Sequence, residues 1–217
     1  MLIRMPGVYR PQSDTRLLAR ALSEAGVPPG SRILDACTGT GAVAIAAARL
    51  PGASVAAVDI SRSALASAWL NCRLRGLRVE LLHGDFRSAV RGRKFDVLVS
   101  NPPYVPSGAD GPPRGAARSW DAGIDGRAAI DSLCQLAPEL LSSTGLMLMV
   151  QSSLSGVDRT LNQLRANGLK AATVARAIIP FGPVLRRRAD WLTARGLTGP
   201  GQCEEELVVI RADRPRK

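Results

Sequence analysis

Short apolar runs alternate with longer amphipathic stretches along most of this 217-residue chain. RILDAC (32–37), SVAAVDI (54–60), RVELLHGD (78–85) and KFDVLVS (94–100) have the length and branched-residue content of buried strands. GLMLMVQ (145–151), LKAATVARAIIP (169–180) and EEELVVIRA (204–212) continue the series. Between them lie helical patterns. SDTRLLARALSEAG (13–26) is capped at Ser13 or Asp14 and stopped by Gly26. AVAIAAARL (42–50) and SRSALASAWLNCRLRG (61–76) follow, the second with Ser61 as its N-cap. GRAAIDSLCQLAPELL (126–141), bent by Pro138, and SGVDRTLNQLRANG (155–168) complete the set. Residues 105–125 form a Pro/Gly-rich loop too long for a simple connection, and 181–203 is a mixed segment. Strand–helix alternation of this kind predicts an α/β fold, doubly wound around a mostly parallel sheet. Ligands in such folds bind beyond the carboxyl ends of the strands, so the strand ends are where chemistry is expected.

They carry a consistent set of residues. After the first strand, Gly39 and Gly41 in DACTGTGAVA allow a tight turn and a close backbone approach before a helix N-terminus. GTGAVA matches G-x-G-x-x-A, and Asp59 stands 20 residues beyond Gly39, so the motif alone leaves a dinucleotide open. The neighbouring acids point elsewhere. Asp35 ends the first strand beside the glycine loop, where it would repel a pyrophosphate and attract a cation. Asp59, ending the second strand, can accept both hydroxyls of a ribose, and Asp85, after the third, can accept from an exocyclic amine. Three carboxylates around one crevice suit a sulfonium- and ammonium-bearing nucleoside, which describes S-adenosylmethionine. The bland alternatives are a helix cap for Asp59 and a turn for Asp85.

The fourth strand ends in SNPPYVP (100–106). Proline cannot extend a sheet interior, so the strand stops there. An amide or exocyclic amine nitrogen is a poor nucleophile because its lone pair is delocalised, and acceptors on its N–H groups favour the loss of planarity that methylation requires. Asn101 offers a side-chain carbonyl, the Pro102 carbonyl is left without a sheet partner, and the paired prolines hold it still. Tyr104 can lie on a planar acceptor and exclude water. A Pro-Pro turn with a packing tyrosine is the alternative for PPY by itself.

Composition changes this picture little. The formal charge is +11, but 26 of the 29 basic residues are Arg amid abundant Ala, Gly and Pro, as a GC-rich coding sequence gives. The basic residues are spread, with clusters only at 186–188 and in the tail at 211–217, and no aromatics are interleaved. Contact with RNA or the ribosome through this surface is one reading of the charge. Four scattered cysteines read as free thiols, with no metal site expected. No stretch is apolar enough to span a bilayer, and MLIRMPGVYR lacks a secretory h-region, so a cytoplasmic location is expected. His83, the lone histidine, reads as a surface turn.

DACTGTG, the acids Asp59 and Asp85, and NPPY at 101–104 together resemble class I S-adenosylmethionine-dependent methyltransferases of the NPPY type. VYRPQSDTRLL near the start and WDAGIDGRAAID at 120–131 narrow the resemblance to the HemK family of protein-glutamine methyltransferases, in a short form without an N-terminal helical domain. That resemblance implies a seven-stranded Rossmann-like sheet with the last strand antiparallel. It places residues 1–30 as a helical lead-in and 31–217 as one methyltransferase domain. It implies cofactor contacts from Thr15, Asp35, Gly39, Asp59, Asp85 and Asn101, with Ile60 or Phe86 bracketing the adenine, and Asn101, Pro102 and Tyr104 holding the target amide. The implied substrate is a protein glutamine, as in the Gly-Gly-Gln segment of a translation release factor; a small activator subunit is the further partner expectation. Departures from the family pattern are Cys37 at the first loop glycine, QSD before Thr15, and a missing paired glycine in WDAGID. Two other functions share these residues. One is N-methylation of an RNA or DNA base, and the other is a non-catalytic S-adenosylmethionine-binding interaction module.

Overall fold

The computed structural model describes residues 1–109, 111, 113 and 115–215. Residues 110, 112 and 114 of the long loop and 216–217 of the basic tail lie outside the described residues. Seven strands form one sheet: β1 (Arg32–Ala36), β2 (Ser54–Asp59), β3 (Glu80–His83), β4 (Phe95–Ser100), β5 (Leu141–Ser152), β6 (Lys170–Pro180) and β7 (Glu204–Asp213). Their order is β3-β2-β1-β4-β5-β7-β6, and β7 runs antiparallel to both of its neighbours while the rest are parallel. This is the expected doubly wound sheet with its last strand reversed.

Both faces of the central strands are apolar, so neither can face water. Leu34, Ala36, Val58, Leu98, Met147 and Met149 point to one side, while Ile33, Val55, Ala57, Val97, Val99 and Leu148 point to the other. Helix α1 (Ser13–Glu24) and helix α2 (Ala42–Ala47) cover the second face with Leu18, Leu22, Val43 and Ala47. Helix α3 (Arg62–Arg73) is capped as expected, Ser61 Oγ accepting from Ala64 N at 3.3 Å. A short α4 (Phe86–Ala89) follows β3. Helices α5 (Ala128–Leu140) and α6 (Val157–Ala166) cover the first face through Ile130, Leu133, Ala137 and Leu164. Pro138 lies inside α5 and cannot donate to the Cys134 carbonyl; the Asn167 side-chain amide does so instead, at 2.9 Å.

Three local expectations change. The side-chain cap at Ser13 or Asp14 is not formed: Gln12 holds the cap position without a side-chain bond, and Asp14 turns inward. Strand β5 starts at Leu141, directly after α5, rather than at Gly145. The mixed segment contains two short helices, α7 (Pro183–Arg187) and α8 (Ala189–Ala194), built on a small cluster of Phe181, Leu185 and Leu192. That cluster packs against Val105, and Arg188 clamps the loop after the fourth strand by donating to Pro106 O at 2.8 Å and to Asp121 at 2.6 and 3.0 Å. Among the described residues no helix is long and apolar enough to cross a membrane.

Candidate active site

The chain runs outward from β1 to β2 and β3, then returns to place β4 on the other side of β1. The loops leaving β1 and β4 therefore diverge, and a crevice opens where the strand order reverses. Ser100 Oγ donates to Ala36 O at 2.8 Å and ties the two strand ends together at its floor. Above them lies a cavity of about 300 Å³, within the range of small-molecule sites. Of the residues singled out in the sequence, Thr15, Asp35, Gly39, Asp59, Ile60, Asp85, Phe86, Asn101, Pro102 and Tyr104 all line it.

The glycine loop is held by the carboxylates beside it. Asp35 is buried and its Oδ2 accepts from Thr38 Oγ1 at 2.6 Å and from Ala44 N at 2.9 Å. Burial pushes its carboxyl up to about 7, against the pull of those two donors. Asp59 uses both oxygens, Oδ2 accepting from Gly39 N and Oδ1 from Ser61 N, each at 2.9 Å. It thus bridges the loop after β1 and the start of α3, and burial raises its carboxyl above the usual range. Gly39 has φ +55 and open space where a side chain would be, on the cavity side of the loop. Gly41 does not line the cavity: a Cβ there would stand 3.0 Å from Ala68 Cβ, so its glycine serves the packing of the loop on α3. Cys37 is the chain's non-glycine residue with positive φ, at 62° among the described residues, and burial with Asp59 and Asp35 nearby pushes its thiol up. Asp85 is exposed, its Oδ1 accepting from Arg87 N at 2.7 Å as the cap of α4. Phe86 is buried and Ile60 half-exposed at 53%. His83 is exposed.

The side of the cavity beneath the end of β4 is built around a residue that the sequence pattern marks only as a cap. Asp14, 3% exposed, accepts from Asn101 Nδ2 at 2.9 Å and from Tyr104 OH at 3.1 Å through Oδ2. Its Oδ1 takes Thr15 N at 2.6 Å and Thr15 Oγ1 at 3.1 Å, and Thr15 Oγ1 also lies 3.3 Å from Asn101 Nδ2. Asn101 Oδ1 and the Pro102 carbonyl have no donor among the described residues. Both residues line the cavity, so two acceptors without a donor lie beside an aromatic ring whose hydroxyl is anchored. The segment before α1 forms the outer wall with Val8, Tyr9 and Pro11. It is fastened to α3 by Asn71, which is fully buried and bonds both Ile3 N (2.8 Å) and Ile3 O (2.7 Å). Only the VYRP stretch before the helix hinted at this wall, and nothing in the pattern of α3 marked Asn71.

Buried Arg127 secures the other flank. Its guanidinium donates to Asp131 Oδ1 at 2.7 and 3.0 Å, to Gly156 O and Thr160 Oγ1 at 2.9 Å, and to Ser155 O. Ser155 Oγ in turn donates to Tyr104 O at 2.7 Å.

The lining tests which ligand fits. Asp14, Asp35, Asp59 and Asp85 all line this cavity, with Arg118 as the cationic side chain among the described lining residues. A pyrophosphate would meet a surplus of negative charge there, whereas a sulfonium nucleoside meets attraction. Thr40 also lines the cavity, and its buried hydroxyl has no partner among the described residues. The residues fit S-adenosylmethionine and speak against a dinucleotide.

Sheet order, crevice and lining together define a class I S-adenosylmethionine-dependent methyltransferase. The chain belongs to the methyltransferase small domain family, whose model matches residues 2–112. A Methanocaldococcus jannaschii protein assigned as a protein N5-glutamine methyltransferase is 33% identical over 177 residues, covering 81% of this chain and 88% of that one. The release factor glutamine methyltransferase of Moorella thermoacetica is 42% identical over 160 residues, covering 70% of this chain and 56% of that enzyme. The chain thus spans just over half of the Moorella protein. The structure of Mtq2 from E. cuniculi, solved with Trm112 and responsible for methylation of the eRF1 termination factor, superposes with TM-score 0.61 at 21% identity. That superposition covers 96% of this chain and 99% of the other and shows the shared fold.

Proposed function

We propose that this chain methylates the side-chain nitrogen of a glutamine in a protein substrate of the release-factor type. The observation that carries the reading is the pair of unengaged acceptors, Asn101 Oδ1 and the Pro102 carbonyl, beside the anchored Tyr104 ring. A primary amide has two N–H donors to match them. Accepting from both draws density onto nitrogen and eases the loss of planarity, and the two prolines keep the carbonyl from moving as this happens. When bound, S-adenosylmethionine supplies an electrophilic methyl group. The chain's own residues position and desolvate: Asp59 and Asp85 would hold the nucleoside, the glycine loop would let the backbone approach it, and Tyr104 would shield the amide. The methyl group supplied there would pass to the clamped nitrogen with the thioether as leaving group, and the amide proton, made acidic by that transfer, would leave to water.

In this reading residues 31–217 act as one catalytic domain, and residues 1–30 supply Asp14, Thr15 and the outer wall of the cavity. The names of the relatives support glutamine as acceptor. The Mtq2 complex supports a small activator subunit as partner, and the work falls in the cytoplasm, where translation terminates. The +11 charge favours contact with RNA or the ribosome during that work and keeps base methylation as the second reading.

The test is methyl transfer from labelled S-adenosylmethionine to a release-factor domain bearing Gly-Gly-Gln, comparing the parent protein with Asn101→Ala. The parent should place one methyl on the glutamine; the variant should lose at least about 100-fold in turnover while binding the cofactor within about threefold. Undiminished turnover by Asn101→Ala would remove the amide clamp.

A further inference from the structure

The geometry points to Asp14 as the positioning residue that sets the polarity of the acceptor clamp, an inference that rests on the amide-acceptor reading above. An asparagine side chain can face a cavity with either its oxygen or its nitrogen, and only the oxygen can receive an acceptor N–H. What selects the oxygen is the partner on the other side. Asp14 Oδ2 lies 2.9 Å from Asn101 Nδ2, and a carboxylate accepts but does not donate. Turning the Asn101 amide over would place oxygen against carboxylate in a dry site and point N–H groups at the N–H groups of the substrate. The same Oδ2 accepts from Tyr104 OH at 3.1 Å, so one carboxylate fixes both the amide plane and the ring that covers it.

Asp14 is placed for this and for little else. It is 3% exposed, sits in the first turn of α1, and makes no ion pair among the described residues. A buried carboxylate without a cation is costly unless its lone pairs are filled. Among the described residues its oxygens accept from Thr15, Asn101 and Tyr104, and the Tyr9 hydroxyl lies beside it as a further donor. A helix cap at the surface would need none of these partners. The helix that carries Asp14 packs on the sheet through Leu18 and Leu22, so the carboxylate is presented from a rigid element.

The shape-preserving variant Asp14→Asn separates this role from packing. Because Thr15 N still needs an acceptor at the Oδ1 position, the new side chain presents its nitrogen to Asn101, which favours turning the Asn101 amide so that its N–H groups face the cavity. Turnover should fall about 100-fold, the scale of one preorganised polar group, with cofactor Kd and acceptor KM changed less than about threefold. The exchanged pair Asp14→Asn with Asn101→Asp restores a one-way arrangement, since the amide at position 14 donates to a carboxylate whose second oxygen faces the acceptor. It should regain at least tenfold over Asp14→Asn. A readout independent of turnover is the nitrogen-15-resolved side-chain amide of Asn101, assigned by its loss in Asn101→Ala. In the parent one of its protons should be shifted downfield by the carboxylate, and in Asp14→Asn that shift should collapse. Turnover of Asp14→Asn within threefold of the parent, an exchanged pair no better than Asp14→Asn, or an unchanged amide resonance would each overturn the assignment. Failure of the parent to methylate glutamine would instead count against the function proposed above, while the amide resonance would still decide the role of Asp14.

Discussion

Replacing Arg127 by Met tests how the acceptor loop is held in place. Arg127 is 2% exposed, so its guanidinium is fully desolvated, and removing one partner of a buried pair costs about 3–5 kcal/mol. The structure argues for the lower end. Asp131 keeps Arg159 Nη2 at 3.0 Å on its other oxygen, and the Thr160 hydroxyl keeps Gln151 Oε1 at 2.8 Å. The Ser155 carbonyl is left without its donor, at about 1–3 kcal/mol. A net loss of about 3 kcal/mol in a chain of this length lowers Tm by about 6–12 °C. The damage should also reach function, because Ser155 Oγ holds Tyr104 O. Thermal unfolding followed by circular dichroism supplies the first number, and turnover against cofactor affinity well below Tm supplies the second: turnover down about tenfold, Kd nearly unchanged. Arg159→Met is the control, since that side chain is 59% exposed and its pairs contribute about 1 kcal/mol or less. A loss of under 3 °C for Arg127→Met, or equal losses for the two variants, would refute the reasoning.

Three further outcomes are expected. Asp59→Ala should raise the cofactor Kd tenfold or more, through the lost ribose contact and the freed Gly39 N–H, and an unchanged Kd in calorimetry would remove the ribose assignment. Asp35 is held at about 7 against 3.8 in an unfolded chain, so the folded state binds a proton that the unfolded state has lost; stability from this source is full below pH 3.8 and fades as pH rises toward 7. The cofactor-free protein should therefore lose Tm between pH 5 and 8, and Asp35→Asn should flatten that slope; parallel slopes would contradict it. Asn71→Leu strips two bonds from Ile3 and one from Thr40 O, so Tm should fall by several degrees and proteolysis at Arg4 and Arg10 should accelerate, while equal cleavage rates would show that the wall is held otherwise.

The strands and long helices were legible because each is a run whose period is set by local geometry, and the doubly wound, mostly parallel sheet followed from their alternation, whereas the reversed last strand was implied only by the family resemblance. The rim residues were legible for the same reason: Asp35, Asp59 and Asn101 stand where strands end. Helices α7 and α8 were not, being five and six residues long, too short to show a helical period and stabilised by a satellite cluster. Asp14 was misread because an acid at a helix start is ordinarily a cap, and only the return of β4 beside β1 brings Asn101 against it, 87 residues away. Asn71 bonds Ile3, 68 residues away, and Arg127, besides its local pair with Asp131, reaches Thr160, 33 residues on; no local pattern encodes either contact.

The central claim is that the clamp holds a protein amide. Methyl transfer from labelled S-adenosylmethionine into a cognate cell lysate, divided and treated with protease or nuclease, tests it most directly. Label should disappear with protease alone and map by mass spectrometry to a glutamine, whereas label removed by nuclease would place a nucleic-acid base in the clamp and contradict the account.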